Sequence, residues 1–158
     1  MPRKIVARGA LVCALPVFAA VAASAAAGNQ QLSIQVGAQT RTYLLHVPPQ
    51  YDGTRALPLV ISIHGAGGTG VGMSFTFNAL ADKHGFIAAY PDGITGANRG
   101  WTAPYGAPIA GGHGSQVDDV DDVGFIRTLI DQLHATYHTD PARVFVCGHS
   151  SGITWPIG

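Results

Sequence analysis

The sequence predicts an α/β fold with a mostly parallel sheet and helices on both faces. The apolar run 57–63 is continuous rather than alternating, which is typical of a strand buried on both faces. Strand-like and helix-like segments then alternate along the chain, which favours right-handed crossovers between parallel strands. With 158 residues, 47% of them hydrophobic, the chain has enough apolar surface for one domain with a sizeable core.

The first 27 residues are predicted to be a secretory signal peptide. Three basic residues precede an apolar stretch from Ala10 to about Ala23, and cleavage is expected after Ala25 or Ala27. The stretch falls short of the roughly 20 residues that a spanning helix needs, so a stable membrane anchor is disfavoured. The remainder, 28–158, is interpreted as one domain of a secreted protein, extracellular or periplasmic.

Charge excludes one class of function. Without the leader the chain carries six basic residues against nine acidic ones, all of them Asp, which gives a net charge of −3. A mildly acidic chain of this kind offers no basic patch for the phosphates of a nucleic acid. A nucleic acid partner is therefore not expected, and the sequence does not indicate an oligomeric state.

The first half of the domain contains a hairpin and a helix around the buried strand. Residues 32–36 and 40–47 are β-rich and roughly alternating, which indicates an antiparallel hairpin. After strand 57–63, helical spacing covers 75–84. Gly85 follows, and glycine is suited to the left-handed conformation of a helix C-cap.

The second half is predicted to contain two more strands and a longer helix. Residues 86–90 form a short strand, and a long Gly- and Pro-rich loop follows, carrying Trp101, Tyr105 and His113. Loops of this length inside a compact domain are often functional. Apolar residues at spacings of three and four mark an amphipathic helix over 123–137, which Asp140-Pro141 is expected to stop. The last strand is 144–147.

A candidate nucleophile follows that last strand. Gly148-His149-Ser150-Ser151-Gly152 fits the G-x-S-x-G pattern of a nucleophile elbow, in which a serine occupies a sharp turn between strand and helix. A serine hydroxyl needs a base to take its proton and preorganised donors for the developing oxyanion. The N–H of Ser151 is placed to be one donor, and Ala66, in the loop His64-Gly65-Ala66, is expected to supply the other.

Several further blocks stand in order along residues 32–152. They are Arg41-Thr42-Tyr43 to Val47-Pro48, Leu57 to His64-Gly65, Gly85-Phe86 to Tyr90-Pro91-Asp92-Gly93, Trp101, Asp121 to Ile126, Asp140 to Val144, and the elbow. Together they resemble the secreted polyhydroxybutyrate depolymerase and feruloyl esterase group of α/β-hydrolases.

That resemblance implies an α/β-hydrolase fold and carboxyl ester hydrolysis through an acyl-enzyme, with no cofactor and no metal. The substrate would be a polyester, an aromatic ester or a short acyl ester. Ser150 would be the nucleophile, and the N–H groups of Ala66 and Ser151 would line the oxyanion hole. Trp101, with His64 and Gly65, would lie where substrate binds.

The family pattern is incomplete at the end of this sequence. In the family the triad acid and histidine follow the serine, and only six residues follow the elbow here, including Trp155-Pro156, which does not suit a helix. A truncated or frame-shifted product, inactive or nearly so and poorly soluble, is therefore expected. Among upstream histidines, His149 and His64 are interpreted as structural, and His113 is the least excluded substitute base.

Other candidate sites have simpler interpretations. The acidic cluster Asp118, Asp119, Asp121 and Asp122 lacks the pattern of a calcium loop and suits a helix N-terminus. His134 and His138 are spaced like a zinc pair but lack the adjoining Glu. Cys147 is expected to be a buried strand residue. Two alternatives to an esterase stay open: a secreted polymer- or polysaccharide-binding module that uses Trp101 and Tyr105, and a fragment without function.

Overall fold

Within the part of the chain that the structure describes, a five-stranded mixed sheet forms the centre. The computed structural model describes residues 26–94, 100–101 and 120–153. The strands are β1 (Gly28–Val36), β2 (Gln39–Val47), β3 (Leu57–Ile63), β4 (Ile87–Pro91) and β5 (Thr139–Gly148), in the spatial order β1-β2-β4-β3-β5. The helices are α1 (Gly70–Met73), α2 (Asn78–His84) and α3 (Asp122–Tyr137), with 3₁₀ turns at Ser74–Thr76 and Ser150–Ile153.

The sheet is mostly parallel, as the sequence predicts. β3 runs parallel to both β4 and β5, whereas β2 runs antiparallel to β1 and to β4. All strands except β2 therefore point the same way. The predicted hairpin is confirmed and is longer than predicted, because Gly28 already pairs with Val47 across it.

Helices cover both faces, and the alternation of side chains along β2 shows how. Tyr43, Leu45 and Val47 point into the larger core, which α3 closes with Phe125 and other apolar residues. Leu44 points to the opposite face, where it packs in a smaller cluster beside α2. The described part therefore has the α/β architecture that the sequence predicts, with a mostly parallel sheet and helices on both faces.

The predicted helix over 75–84 is divided in the structure. Its first residues form the 3₁₀ turn, and only Asn78–His84 is α-helical. The hydroxyls of Ser74 and Thr76 donate to main-chain oxygens three residues earlier, a local hydrogen bond that competes with regular helix. The predicted end is confirmed, because Gly85 adopts a left-handed φ of 71° and its N–H donates to the carbonyl oxygen of Ala81.

The end of α3 lies earlier than predicted. Asp140-Pro141 does not stop the helix, because α3 ends at Tyr137 and His138 takes the left-handed conformation with φ 46°. Thr139 already begins β5, so the last strand starts five residues before the predicted Val144. The turn at His138 reverses the chain directly from helix to strand.

The expectation of a buried Cys147 is wrong. The residue lies in a strand, as predicted, but β5 is the last strand of the sheet and Cys147 is exposed. Alternation explains the difference: Val144 and Val146 pack against the larger core, while Phe145 is 57% exposed on the other face. Partial burial by its neighbours still raises the pKa of the Cys147 thiol, which disfavours the reactive thiolate.

Buried phenols make the fold sensitive to high pH. Burial raises the pKa of Tyr43 to about 12 and also raises the pKa of Tyr90. In the unfolded chain the tyrosine hydroxyls lose their protons at pH ~10. The free energy by which the protonated phenols stabilise the fold is therefore complete below that pH and declines as the pH rises towards ~12. We expect Tyr43→Phe to flatten this decline when urea unfolding is followed between roughly pH 8 and 11. An unchanged slope in Tyr43→Phe would contradict the prediction.

Candidate active site

The candidate nucleophile occupies a strained turn directly after β5. Ser150 has φ +54°, and His138 is the only other non-glycine residue with positive φ in the described ranges. The turn is fixed on both sides, because the N–H of His149 donates to Ile63 O and that of Gly152 donates to His149 O, both at 3.0 Å. A non-glycine residue in this conformation costs about 1–3 kcal/mol and persists where its surroundings enforce it, often at functional sites.

Close backbone packing explains the glycine at the end of the motif. A Cβ on Gly152 would lie 2.7 Å from the carbonyl oxygen of Ile63 and 2.8 Å from that of His64. The 3₁₀ turn therefore rests directly on the end of β3. A larger residue at position 152 would push the serine away from this strand.

The glycine-rich loop after β3 meets the serine from the other side. A Cβ on Gly65 would lie 3.0 Å from Ser150 Cβ and 3.2 Å from the carbonyl oxygen of His149. Within the loop, the N–H of Gly68 donates to Gly65 O at 3.0 Å, and Ala66 at the tip is exposed. The structure thus brings Gly65 and Ser150 together as the sequence suggests, with Ser151 buried beside them. The oxyanion roles of Ala66 and Ser151 stay predictions.

The imidazole of His64 connects this loop to the segment after β4. Its Nδ1 contacts Gly65 O at 2.6 Å, and its Nε2 accepts the N–H of Gly93 at 3.0 Å. Because a carbonyl only accepts and an N–H only donates, the ring carries its proton on Nδ1. Neither nitrogen is left to act as a base for Ser150, so the structural interpretation of His64 fits the geometry.

Trp101 lies beneath the loop rather than on its surface. The indole is 1% exposed, its N–H donates to His64 O at 2.9 Å, and its ring packs 5.1 Å from the imidazole of His64. In this position neither Trp101 nor His64 presents its side chain at the surface, and their predicted substrate-binding roles stay predictions. The binding-module alternative loses Trp101 as an exposed contact, and Tyr105 lies outside the described residues.

Among the described residues, no other candidate base is hydrogen bonded to the hydroxyl of Ser150. His149 is exposed, and no imidazole nitrogen within the described ranges is hydrogen bonded to Ser150 Oγ. His113 lies outside those ranges. The described part of the site therefore holds a positioned serine and its loop, without an assigned base.

A buried ion pair fixes the region behind the loop. Arg41 and Asp122 are almost fully buried, and Arg41 Nη2 lies 2.6 Å from Asp122 Oδ1. The guanidinium also lies 4.1 Å above the ring of Phe125 and 5.9 Å from that of Trp101. Its Nε and Nη1 have no hydrogen-bond partner among the described residues, so the aromatic faces supply the remaining favourable contacts. Strand β2, helix α3 and the Trp101 segment are joined here.

The described residues of the two candidate metal sites make structural contacts with other parts of the protein. Asp121 accepts the N–H of Gly124 at 2.7 Å as an N-cap, and Asp122 pairs with Arg41, while Asp118 and Asp119 lie outside the described residues. His134 contacts the hydroxyl of Thr139 instead of sharing a helix face with His138, which lies beyond the helix end. Within the described ranges, no group of three or more His, Cys, Asp or Glu residues is arranged to hold a metal.

Sequence reasoning missed three polar residues around the site: Arg41, Asp92 and Asp122. Arg41 had a usable signal, because it shares the inward parity of Tyr43, Leu45 and Val47 on β2. A charge at an inward position demands an acidic partner. For Asp122 the sequence alone indicates only a place at a helix N-terminus.

Comparisons with known proteins give relatives of this chain but no family model. No protein-family model matches the sequence. A poly(3-hydroxyalkanoate) depolymerase C from Paucimonas lemoignei is 28% identical over 156 residues, covering 95% of this chain and 35% of the relative. A feruloyl esterase B from Neurospora crassa is 30% identical over 96 residues, covering 60% and 30%. The chain thus spans about a third of the length of the curated relatives it matches.

Solved structures support the fold. An acetyl xylan esterase from Aspergillus awamori superimposes with a TM-score of 0.62 at 23% identity, covering 79% of this chain and 43% of that one. At this identity the likeness shows the fold alone. The relatives named as depolymerases and feruloyl esterases, together with the esterase structure, support the predicted resemblance to the polyhydroxybutyrate depolymerase and feruloyl esterase group of α/β-hydrolases.

Proposed function

We propose that this chain carries the nucleophile and oxyanion parts of a serine carboxyl-ester hydrolase, with Ser150 as the nucleophile. The observation that carries the proposal is the conformation of Ser150, held at φ +54° against the glycine-rich loop. Acyl transfer requires a serine held in this way together with backbone N–H donors, a role that we propose for Ala66 and Ser151.

The reaction proceeds through an acyl-enzyme. Ser150 Oγ attacks the ester carbonyl carbon and gives up its proton to a base, and the resulting oxyanion accepts hydrogen bonds from the N–H groups of Ala66 and Ser151. Collapse of the intermediate breaks the bond to the alcohol, which leaves with the proton held by the base. Water then attacks the acyl carbon and gives a proton to the base; the bond to Ser150 Oγ breaks, the acid leaves, and Ser150 Oγ regains a proton from the base. The chain's own contribution is the serine, its orientation and the two donors. The base is not assigned to any described residue.

The substrate class is proposed from the relatives. Their names point to polyesters, feruloyl esters and acetyl esters. The common chemical feature is a carboxyl ester, so we propose a polyester, an aromatic ester or a short acyl ester as the substrate.

We also propose export as a secreted protein. The proposal is supported by the basic and apolar leader and by the start of β1 at Gly28, directly after the expected cleavage region. None of the helices in the described ranges is long and apolar enough to cross a membrane.

A fluorophosphonate probe tests the nucleophile. We expect slow labelling, located on Ser150 by mass spectrometry, because no described imidazole is hydrogen bonded to its hydroxyl. Ser150→Ala should abolish the label, and Ser74→Ala, which alters an exposed hydroxyl on the 3₁₀ turn, should retain it. Labelling at another residue, or labelling that survives Ser150→Ala, would overturn the proposal. Brisk labelling would show that a base is present after all.

A further inference from the structure

Two neighbouring residues after β4 hold both ends of the loop that carries Ala66. We call residues 64–69 the oxyanion loop. We infer that Asp92 is the positioning residue for this loop, an inference that rests on the proposed function of Ser150. Asp92 reaches the far end of the loop with its side chain, and Gly93 reaches the near end with its main chain.

At the far end, the contact is made to the first residue of α1. Asp92 Oδ1 accepts the N–H of Gly70 at 2.7 Å. Gly70 lies so close to the end of β4 that an added Cβ would be 2.1 Å from the carbonyl oxygen of Tyr90. The carboxylate and the close packing together fix where the loop ends, since a charged acceptor strengthens a hydrogen bond to a backbone N–H.

At the near end, the contact passes through an imidazole. The N–H of Gly93 donates to His64 Nε2 at 3.0 Å, and His64 Nδ1 contacts Gly65 O at 2.6 Å. Gly65 is the residue that faces Ser150. The segment 92–93 therefore sets the position of the loop relative to the nucleophile.

Asp92 is itself fixed on the strand beside it. Its Oδ2 accepts the hydroxyl of Thr42 at 2.8 Å, and its N–H donates to Thr42 O at 2.9 Å. Its carbonyl oxygen accepts from Arg41 Nη2 at 3.2 Å, and Arg41 is held by Asp122. Both carboxylate oxygens and both main-chain groups of Asp92 are thus engaged, which gives the loop a rigid support.

A loop rich in glycine needs such a support. The oxyanion loop contains Gly65, Gly67 and Gly68, and Gly67 adopts φ +76°. Glycine has the largest conformational freedom of any residue, so the chain itself does not fix the position of Ala66. Oxyanion donors act at about 2.7–3.1 Å, and a displacement of about 1 Å costs on the order of 100-fold in rate. Loss of the Gly70 anchor should therefore act on the position of Ala66.

The test compares three variants of the full chain. Asp92→Ala removes the anchor, and Asp92→Asn keeps an acceptor for Gly70 while Thr42 can reorient its hydroxyl. Asp82→Ala is the matched control. Asp82 lies on helix α2, and its side chain also makes a hydrogen bond, of 2.7 Å to His46 Nε2. Readouts are thermal stability, ¹⁵N order parameters of the Ala66 and Gly67 amides, and the rate of fluorophosphonate labelling.

We expect Asp92→Ala to lower the order parameters of the loop amides and to slow labelling by roughly 10- to 100-fold. Asp92→Asn should restore both, and Asp82→Ala should change thermal stability without changing the loop. Unchanged loop order parameters in Asp92→Ala, or a mobile loop with an unchanged labelling rate, would overturn the inference. If wild-type Ser150 is never labelled, the proposed function fails, while the order parameters still decide whether Asp92 positions the loop.

Discussion

Asp122→Ala is expected to lower the free energy of unfolding by about 3–5 kcal/mol, because it leaves the buried guanidinium of Arg41 without a counter-charge. Asp122 Oδ1 lies 2.6 Å from Arg41 Nη2, and neither side chain is accessible to water. Two Arg41 nitrogens already lack a hydrogen-bond partner within the described residues. The loss would therefore expose the full desolvation cost of the arginine. Urea unfolding followed by circular dichroism measures the change.

A surface ion pair provides the control for Asp122→Ala. Asp140 and Arg143 also approach to 2.6 Å, but their side chains are 25% and 50% exposed. Asp140→Ala should therefore change the unfolding midpoint only slightly, since water replaces the lost partner. Equal losses in Asp122→Ala and Asp140→Ala would contradict the argument. The double variant Arg41→Met with Asp122→Leu should recover part of the stability, because it removes both buried charges.

Gly70→Ala is expected to lower the free energy of unfolding by about 3 kcal/mol or to displace the start of α1. The added Cβ would clash with main-chain atoms, which cannot move aside as a flexible side chain can. The added Cβ would lie 2.1 Å from Tyr90 O and 3.3 Å from Asp92 Oδ1. The same displacement would break the hydrogen bond from Gly70 to Asp92. Thermal unfolding and the amide chemical shift of residue 70 report the two effects.

Gly72→Ala is the matched control for Gly70→Ala, in the same helix. A Cβ on Gly72 would meet only the hydroxyl of Thr69, at 3.3 Å, a contact that a shift of a few tenths of an ångström in this side chain relieves. Alanine also favours helix over glycine by up to about 1 kcal/mol, so this variant should be neutral or slightly stabilised. A Gly70→Ala variant as stable as Gly72→Ala would show that the close approach to Tyr90 is not maintained in solution.

The strands were predictable because the burial of a strand on one or both faces determines which of its residues are apolar. The continuous apolar run 57–63 matches β3 in extent, and alternation over 40–47 matches the two faces of β2. The G-x-S-x-G motif also located the strained serine, since local turn chemistry is encoded in adjacent residues. The exposure of Cys147 was not predictable, because it depends on which strand lies at the edge of the sheet.

The support of the candidate site depended on contacts between distant residues. Asp92 contacts Gly70, 22 residues away, and Arg41 contacts Asp122, 81 residues away. No local periodicity encodes such pairs, so sequence reasoning interpreted Asp122 as a helix-start residue and gave Asp92 no role. The position of Arg41 among the inward-facing residues of β2 is the one sequence feature that predicts a buried acidic partner.

The strand order also has a consequence for how the chain folds during synthesis. β3 follows β2 in sequence, yet β4 lies between them and pairs with both. Until residues 87–91 have left the ribosome, the β1–β2 hairpin and β3 have no shared hydrogen-bonded neighbour. Closing non-local pairs of this kind slows folding. We therefore expect the nascent sheet to assemble only when β4 enters the gap, so that the support for the oxyanion loop, which follows β4 directly, forms at the same step.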